Sequence, residues 1–174
     1  MKAGFIGLGI MGKPMSKNLL KAGVELLVND LNQEAVDEVV AAGGKAATQA
    51  EIGENCDIII TILPNGSIVK SVLFGENGVA SKIKPGSLVC DMSSVTATES
   101  HECADGLAKK GVKFLDAPVS GGEPGAINGT LAIMVGGEQE DFDRMKPYFD
   151  ILGKSAVLIG PTGSGSITKL VNQA

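Results

Sequence analysis

The sequence predicts an α/β protein built on a doubly wound, mainly parallel sheet with helices on both faces. Short apolar runs alternate with helical patterns along most of the 174 residues, which is typical of such sheets. Hydrophobic residues make up 44% of the chain and aromatic residues only 3%. The core must therefore consist mainly of aliphatic side chains, as in buried parallel strands.

The first strand is predicted at Ala3–Ile6, and a glycine-rich turn and a helix follow it. In this turn, Gly7 would allow a sharp change of direction, Gly9 would leave room for a pyrophosphate, and Gly12 would let the helix pack on the strand. The N–H groups at the helix start would face the phosphates. Because glycine is abundant, with 24 residues, the spacing matters only through its place between strand and helix. The predicted cofactor-binding residues here are Gly7, Leu8, Gly9, Ile10, Met11 and Gly12.

The second predicted strand, Glu25–Asn29, is followed by an acid. Asp30 lies 21 residues after Gly9, close to the offset of about 20 residues expected for a carboxylate that binds the adenosine ribose. No Lys or Arg follows until Lys45, so a 2′-phosphate would meet Asp30 without a cation. The sequence therefore favours NAD, with NADP possible. The alternative is that Asp30 only starts the turn before a helix over residues 32–42.

The remaining elements continue the alternation of strands and helices. Two helices are predicted to begin with capping boxes, Thr48-x-x-Glu51 and Thr96-x-x-Glu99. We predict one dinucleotide-binding domain over residues 1–162 and the start of a further helix over residues 163–174. The other predicted strands are Ala46–Ala47, Asp57–Leu63, Leu88–Asp91, Lys113–Asp116, Leu131–Val135 and Ala156–Ile159.

Polar and glycine residues follow three of the predicted strands, in the ranges 63–67, 91–94 and 116–122. Since the carboxyl ends of parallel strands meet at one edge of a sheet, these segments are expected to form the floor of a cleft. Ordinary turns are the alternative. The run Ser120-Gly121-Gly122 would expose backbone N–H groups that suit a carboxylate, unless it is only a flexible surface loop.

The last predicted helix carries Lys169 and Asn172 three residues apart, so they share a face. A lysine beside a nicotinamide could protonate a carbonyl oxygen as hydride arrives. From the pattern alone, a solvated surface lysine is the more usual interpretation.

Composition argues against several other functions. The net charge is −5 without a basic cluster, which disfavours nucleic acid and anionic membranes as partners. The chain shows no signal-peptide pattern and no run of ~18 apolar residues, so we expect a cytoplasmic protein. Cys56, Cys90 and Cys103 are scattered and predict reduced thiols. His101 is the only histidine, so no metal site is expected.

Three motifs taken together resemble the β-hydroxyacid dehydrogenases. They are Gly7-x-Gly9-x-x-Gly12 followed by Lys13-Pro14-Met15, then Asp116-Ala-Pro-Val-Ser-Gly-Gly122, and finally Gly163-x-Gly165-x-x-x-Lys169-x-x-Asn172. The resemblance implies an NAD(P)-dependent oxidoreductase that transfers hydride between the cofactor and a small hydroxy acid or its semialdehyde. A cofactor-binding module without catalysis is the alternative from a different class.

The resemblance also implies roles for the matched residues. Lys169 would be the general acid in reduction and the base in the reverse reaction, and Asn172 would orient the substrate or Lys169. The substrate carboxylate would be held by Ser120, Gly121 and Gly122, and Asp30 would bind the adenosine ribose. Further cofactor contacts are implied for Leu63, Pro64 and Ser94.

The same family implies a second, helical domain after a long interdomain helix, and a homo-oligomer for the full-length protein. On this basis we expect residues 1–174 to be the N-terminal half of such an enzyme. We expect this half to bind nucleotide and to turn over poorly or not at all.

Overall fold

The computed structural model describes residues 1–173. The strands are β1 (Lys2–Ile6), β2 (Glu25–Asn29), β3 (Lys45–Ala46), β4 (Ile58–Thr61), β5 (Leu88–Asp91), β6 (Lys113–Asp116), β7 (Val119–Ser120), β8 (Leu131–Gly136) and β9 (Gly153–Gly160). The α-helices are α1 (Gly12–Lys21), α2 (Gln33–Ala41), α3 (Gln49–Asn55), α4 (Gly66–Phe74), α5 (Ala97–Ala108), α6 (Gly122–Asn128), α7 (Gln139–Leu152) and α8 (Ser164–Gln173). A 3-10 turn spans Val79–Ser81.

One sheet contains all nine strands, in the order β3-β2-β1-β4-β5-β6-β8-β7, with β9 paired to β8. The strands from β3 to β6 are parallel. From β1 the chain winds first towards β3 and then, in the other direction, towards β6. The predicted doubly wound, mainly parallel Rossmann-like sheet is thus confirmed. Its winding reverses between β1 and β4, where such sheets bind ligands.

Two apolar cores lie on opposite faces of the sheet, because successive strand residues point to opposite sides. Phe5 belongs to the core that includes side chains of α1 and α7, whereas Ile6 belongs to the core that includes side chains of α3, α4 and α5. Ile60 and Ile59 are divided in the same way. Helices therefore cover both faces of the sheet, so a binding site has to be formed by the loops at the ends of the strands.

The far edge of the sheet differs from the predicted pattern. The strand β7 is not among the predicted strands, because two residues directly after Pro118 carry no recognisable strand pattern. Both β7 and β6 pair with β8 antiparallel, whereas β9 runs parallel to β8. The strand β9 also begins at Gly153, three residues before the predicted start. The prediction starts too late because Lys154 and Ser155 are polar and exposed, and so do not continue the apolar run.

Candidate functional site

The glycine loop, residues 7–12 after β1, is closely packed against the segment that follows β4. A Cβ on Gly7 would lie 2.0 Å from the carbonyl oxygen of Ile62, and the residue has a φ of +106°. A Cβ on Gly12 would lie 1.8 Å from the carbonyl oxygen of Gly7. By contrast, a Cβ on Gly9 would meet nothing within 4 Å. Packing thus requires glycine at positions 7 and 12, whereas Gly9 borders open space of the kind that a pyrophosphate needs.

The helix α1 leaves its N-terminus available to an anion. It begins at Gly12, its cap residue Met11 forms no side-chain cap, and no acid occupies the first turn. Unpaired N–H groups and the positive end of the helix dipole attract phosphate. These features fit the predicted dinucleotide.

Asp30 is already engaged with the backbone on both sides of the loop. One carboxylate oxygen accepts a hydrogen bond from the Leu8 N–H at 2.6 Å, and the other accepts one from the Asn32 N–H at 2.8 Å. The second bond is the turn role considered as the alternative, and the first holds the glycine loop. Each carboxylate oxygen has a further lone pair that a ribose hydroxyl could use.

Two neighbouring cavities with shared lining residues lie along the ends of the strands, and together they are called the strand-end cleft. One, of about 420 Å³, is lined by Gly7, Gly9, Ile10, Met11, Gly12, Asp30, Ile62, Leu63 and Pro64. The other, of about 310 Å³, is lined by Met11, Ile62, Leu63, Pro64, Met92, Ser94, Val119, Gly121, Gly122 and Lys169. Four residues line both cavities, so the cleft runs from Asp30 to Lys169.

The cleft collects most of the predicted site residues. Lys169 lines the same cavity as Gly121 and Gly122, which suits the predicted proton donor and the predicted carboxylate site. Ser120 and Asn172 are exposed and outside the cavity lining, and the Asn172 side chain donates towards the Met134 sulfur at 3.8 Å. Leu8 is buried and contributes its backbone. The chemical roles of all these residues stay predictions.

Asp116 fixes the start of the helix that carries Lys169. Its buried carboxylate accepts hydrogen bonds from the Gly163 N–H at 2.8 Å and the Ser166 N–H at 2.9 Å. Ser166 in turn shares a buried hydrogen bond with Ser100 of α5. An acid on β6 therefore caps α8 in the way that an N-cap side chain normally does within one helix.

Asp91, at the end of β5, is a second buried acid, and it directly precedes Met92 of the cleft lining. One carboxylate oxygen accepts hydrogen bonds from the Thr61 hydroxyl, the Ser93 hydroxyl and the Ser93 N–H. Burial raises the pKa of Asp91 to about 6, against the lowering effect of these hydrogen bonds, and the nearby charge of Asp116 adds to the rise.

The pKa of Asp91 predicts a pH-dependent stability. Because the folded-state pKa is above its ordinary value, this group stabilises the fold fully below about pH 4 and loses that contribution as the pH rises through about 6. The free energy of unfolding of the wild type minus that of Asp91→Asn should fall by about 2–3 kcal/mol between about pH 4 and about pH 7. Urea titrations across this range would measure it. A constant difference would contradict the shifted pKa.

A larger groove of about 750 Å³ runs along α1 towards α6, beginning at the outer side of the glycine loop. Lys13 and Lys17 in its wall both form ion pairs with Glu38. The Glu38 carboxylate thus offsets part of the charge of these two lysines. The lining of this groove contains neither Lys169 nor the predicted carboxylate site at Gly121 and Gly122, so we place the site in the strand-end cleft.

The described residues offer little to thiol or metal chemistry. Burial raises the pKa of Cys56 to about 11 and that of Cys103 to about 12, so neither is a thiolate at neutral pH. Within residues 1–173, no three His, Cys, Asp or Glu residues come together to hold a metal ion.

None of the helices in the same range is long and apolar enough to cross a membrane.

The doubly wound sheet, the glycine loop and the cleft define a dinucleotide-binding α/β domain. Residues 2–160 match the family profile described as the NAD binding domain of 6-phosphogluconate dehydrogenase. The chain belongs to this family, within the β-hydroxyacid dehydrogenases, and is an NAD-binding domain of an oxidoreductase family.

The relatives are enzymes longer than this chain. It is 45% identical over 173 residues to 2-(hydroxymethyl)glutarate dehydrogenase of Eubacterium barkeri, covering 99% of this chain and 58% of that protein. It is 45% identical over 174 residues to 2-hydroxy-3-oxopropionate reductase of Escherichia coli strain K12, covering 99% and 59%. A solved structure of Mycobacterium tuberculosis 3-hydroxyisobutyrate dehydrogenase with L-serine has 34% identity and a TM-score of 0.93, covering 98% and 58%.

Two contributors to the site were missed by reasoning from the sequence. In the sequence Asp116 stands out only as part of a motif, although it caps α8. Ser93 stands out only as a polar residue after a strand, although its hydroxyl accepts the Leu63 N–H at 2.8 Å. Both contacts join segments at least 30 residues apart, so no local pattern marks them.

Proposed function

We propose that this chain forms the NAD site and the substrate-carboxylate site of an oxidoreductase that reduces 2-hydroxy-3-oxopropionate to glycerate and catalyses the reverse reaction. The observation that carries the proposal is the strand-end cleft. It begins at the glycine loop and Asp30 and ends at the cavity whose lining includes Lys169, Gly121 and Gly122.

Each end of the cleft suits one part of the reaction. NADH, when bound, supplies the hydride. The Lys169 ammonium would donate a proton to the aldehyde oxygen, and in the reverse direction the neutral amine would accept it. Backbone N–H groups of Ser120, Gly121 and Gly122 would hold the carboxylate, with Asn172 orienting the substrate or Lys169.

Compounds named with the relatives share one chemical core. 3-Hydroxyisobutyrate, L-serine and 2-(hydroxymethyl)glutarate all carry a hydroxymethyl group and a carboxylate on the same carbon, and they differ in the third substituent. Glycerate, the product of the proposed reduction, has the same core. A carboxylate at Gly121–Gly122 and a hydroxymethyl oxygen at Lys169 would use the shared core. The substrate class is therefore proposed as 2-substituted 3-hydroxypropanoates and their semialdehydes.

3-Hydroxyisobutyrate is the second candidate substrate. The apolar side chains of Met92 and Val119 line the cavity that contains Lys169, and they would suit a methyl substituent, whereas a hydroxyl would need a polar partner there. The described lining of this cavity contains Lys169 as its one basic residue, which disfavours a phosphorylated sugar acid.

Further parts of the proposal concern the cofactor and the whole protein. Asp30 without a neighbouring cation favours NAD over NADP. We also propose a cytoplasmic enzyme that is a homo-oligomer at full length. The chain spans 58% and 59% of the two curated relatives, so slow or absent turnover by residues 1–174 is part of the proposal.

Lys169→Ala is the variant that tests the chemistry. With NAD⁺ and glycerate, the wild-type chain at high concentration should form NADH slowly, and faster than with 3-hydroxyisobutyrate. Lys169→Ala should lower this rate by roughly 10²–10⁴-fold, the usual contribution of a general acid–base residue, while NADH affinity is retained. Absorbance of NADH measures the rate, and calorimetry measures the affinity.

The exposed Lys154 on β9 supplies the matched control, since Lys154→Ala removes the same charge away from the cleft. Equal rates for Lys169→Ala and the wild type would rule out the catalytic role. NADH binding without any turnover by the wild type would favour the non-catalytic module.

A further inference from the structure

We propose that Asp91 and Ser93 are positioning residues that set the place of Leu63, and through it the wall of the NAD site. The inference rests on the proposed cofactor site and not on the choice of substrate. Neither residue needs to touch the cofactor.

A continuous chain of hydrogen bonds connects the two residues to the cleft. The Ser93 hydroxyl donates to the Asp91 carboxylate at 2.6 Å and accepts the Leu63 N–H at 2.8 Å. The Thr61 hydroxyl donates to the same Asp91 oxygen at 2.9 Å. These bonds begin where the β4–β5 ladder ends, after the Met92 N–H bonds to the Thr61 carbonyl. They extend the pairing of the two strands into their loops.

Residues 62–64 belong to the wall that both cavities share. Leu63 and Pro64 line the cavity at the glycine loop and the cavity at Lys169. The preceding carbonyl, of Ile62, lies so close to Gly7 that a Cβ there would be 2.0 Å away. A shift of Leu63 would therefore move the wall against which the glycine loop is packed.

The arrangement around Asp91 is costly for stability alone. The residue is 1% exposed, and its second carboxylate oxygen has no hydrogen-bond partner among the described residues. A buried polar oxygen without a partner destabilises the fold, so an apolar residue here would serve packing better. An acid that accepts three hydrogen bonds on one oxygen instead fixes the geometry of Ser93 and Thr61.

Ser93→Ala tests the inference, because it removes the link to Leu63 and leaves Asp91 in place. We expect the Leu63 amide to exchange with solvent much faster than in the wild type. We also expect NADH affinity to fall by about tenfold, roughly the net worth of one hydrogen bond. ADP affinity should fall less, because ADP reaches Leu63 only at the glycine loop and not beside Lys169. ADP occupies only the adenosine end of the cleft, so a general loss of folding would weaken both ligands equally.

Two further variants control the experiment. Ser87→Ala removes a buried hydroxyl at the start of β5 that has no partner among residues 1–173, and should change neither affinity. Asp91→Asn is the conservative variant: it keeps an accepting oxygen for Ser93 and Thr61, so it should weaken NADH binding less than Ser93→Ala.

Several results would overturn the inference. These are an unchanged Leu63 exchange rate or NADH affinity in Ser93→Ala, equal losses for NADH and ADP, and an Asp91→Asn variant as weak as Ser93→Ala. A wild-type chain that binds NADH without oxidoreductase activity leaves this inference intact, because the inference rests on the cofactor site and not on turnover. The exchange measurement needs no ligand, so it decides the positioning of Leu63 in either case.

Discussion

Gly9→Ala is expected to lower NADH affinity by roughly 100-fold or more while leaving the free energy of unfolding almost unchanged. In the free protein a Cβ at this position meets nothing within 4 Å, so packing does not resist it. The same Cβ would occupy the space through which the backbone must approach a pyrophosphate. A loss of this size corresponds to about 3 kcal/mol of binding free energy. Calorimetric titration with NADH and thermal unfolding measure the two quantities.

Gly23→Ala is the matched control for this variant. Gly23 also has open space around it, but its φ is +91° and it lies at the end of α1 away from the cleft. Alanine is strained in this conformation, so the variant should lose about 1 kcal/mol of stability and bind NADH normally. Normal NADH binding by Gly9→Ala would show that the pyrophosphate does not lie over the glycine loop.

Asp116→Ala is expected to destabilise the protein by about 4 kcal/mol, the second large effect. The buried carboxylate is the acceptor for two backbone N–H groups, those of Gly163 and Ser166. Removing it leaves both groups unpaired in the interior, at about 2 kcal/mol each. Because these groups begin α8, the helix should detach first, and the amide of Ser166 should exchange faster than those of the sheet. Urea unfolding and hydrogen exchange measure these changes.

Thr48→Ala removes an ordinary helix cap for comparison. Thr48 caps α3 on the surface, so its loss should cost about 1 kcal/mol and leave α8 protected. If Asp116→Ala proves no more harmful than Thr48→Ala, the carboxylate is not what holds α8 in place.

The parts of the fold that follow local rules were predictable from the sequence. Both capping boxes, at Thr48 and Thr96, are confirmed, because the hydroxyl and the carboxylate involved are only three residues apart. The parallel half of the sheet follows from the alternation of apolar runs and helices. By contrast, the pairing of Val119–Ser120 with β8 depends on residues more than ten positions away. A strand of two residues is also too short to show the alternation of apolar and polar side chains that marks a strand.

The same distinction between local patterns and distant contacts applies to the residues of the site. The glycine loop, Asp30 and the segments after β4 and β5 could be placed in one cleft, since parallel strands end at one edge. The links from Asp91 through Ser93 to Leu63, and from Asp116 to α8, depend on the register of neighbouring strands and on the packing of a distant helix. Such contacts appear only when the chain has folded.

Calorimetric titration of this chain with NADH and, separately, with NADPH tests the central claim most directly. We expect NADH to bind and NADPH to bind clearly more weakly, since the 2′-phosphate would approach Asp30 without a cation nearby. Tighter binding of NADPH would contradict the role of Asp30. No binding of either nucleotide would contradict the claim that residues 1–174 form a complete cofactor site.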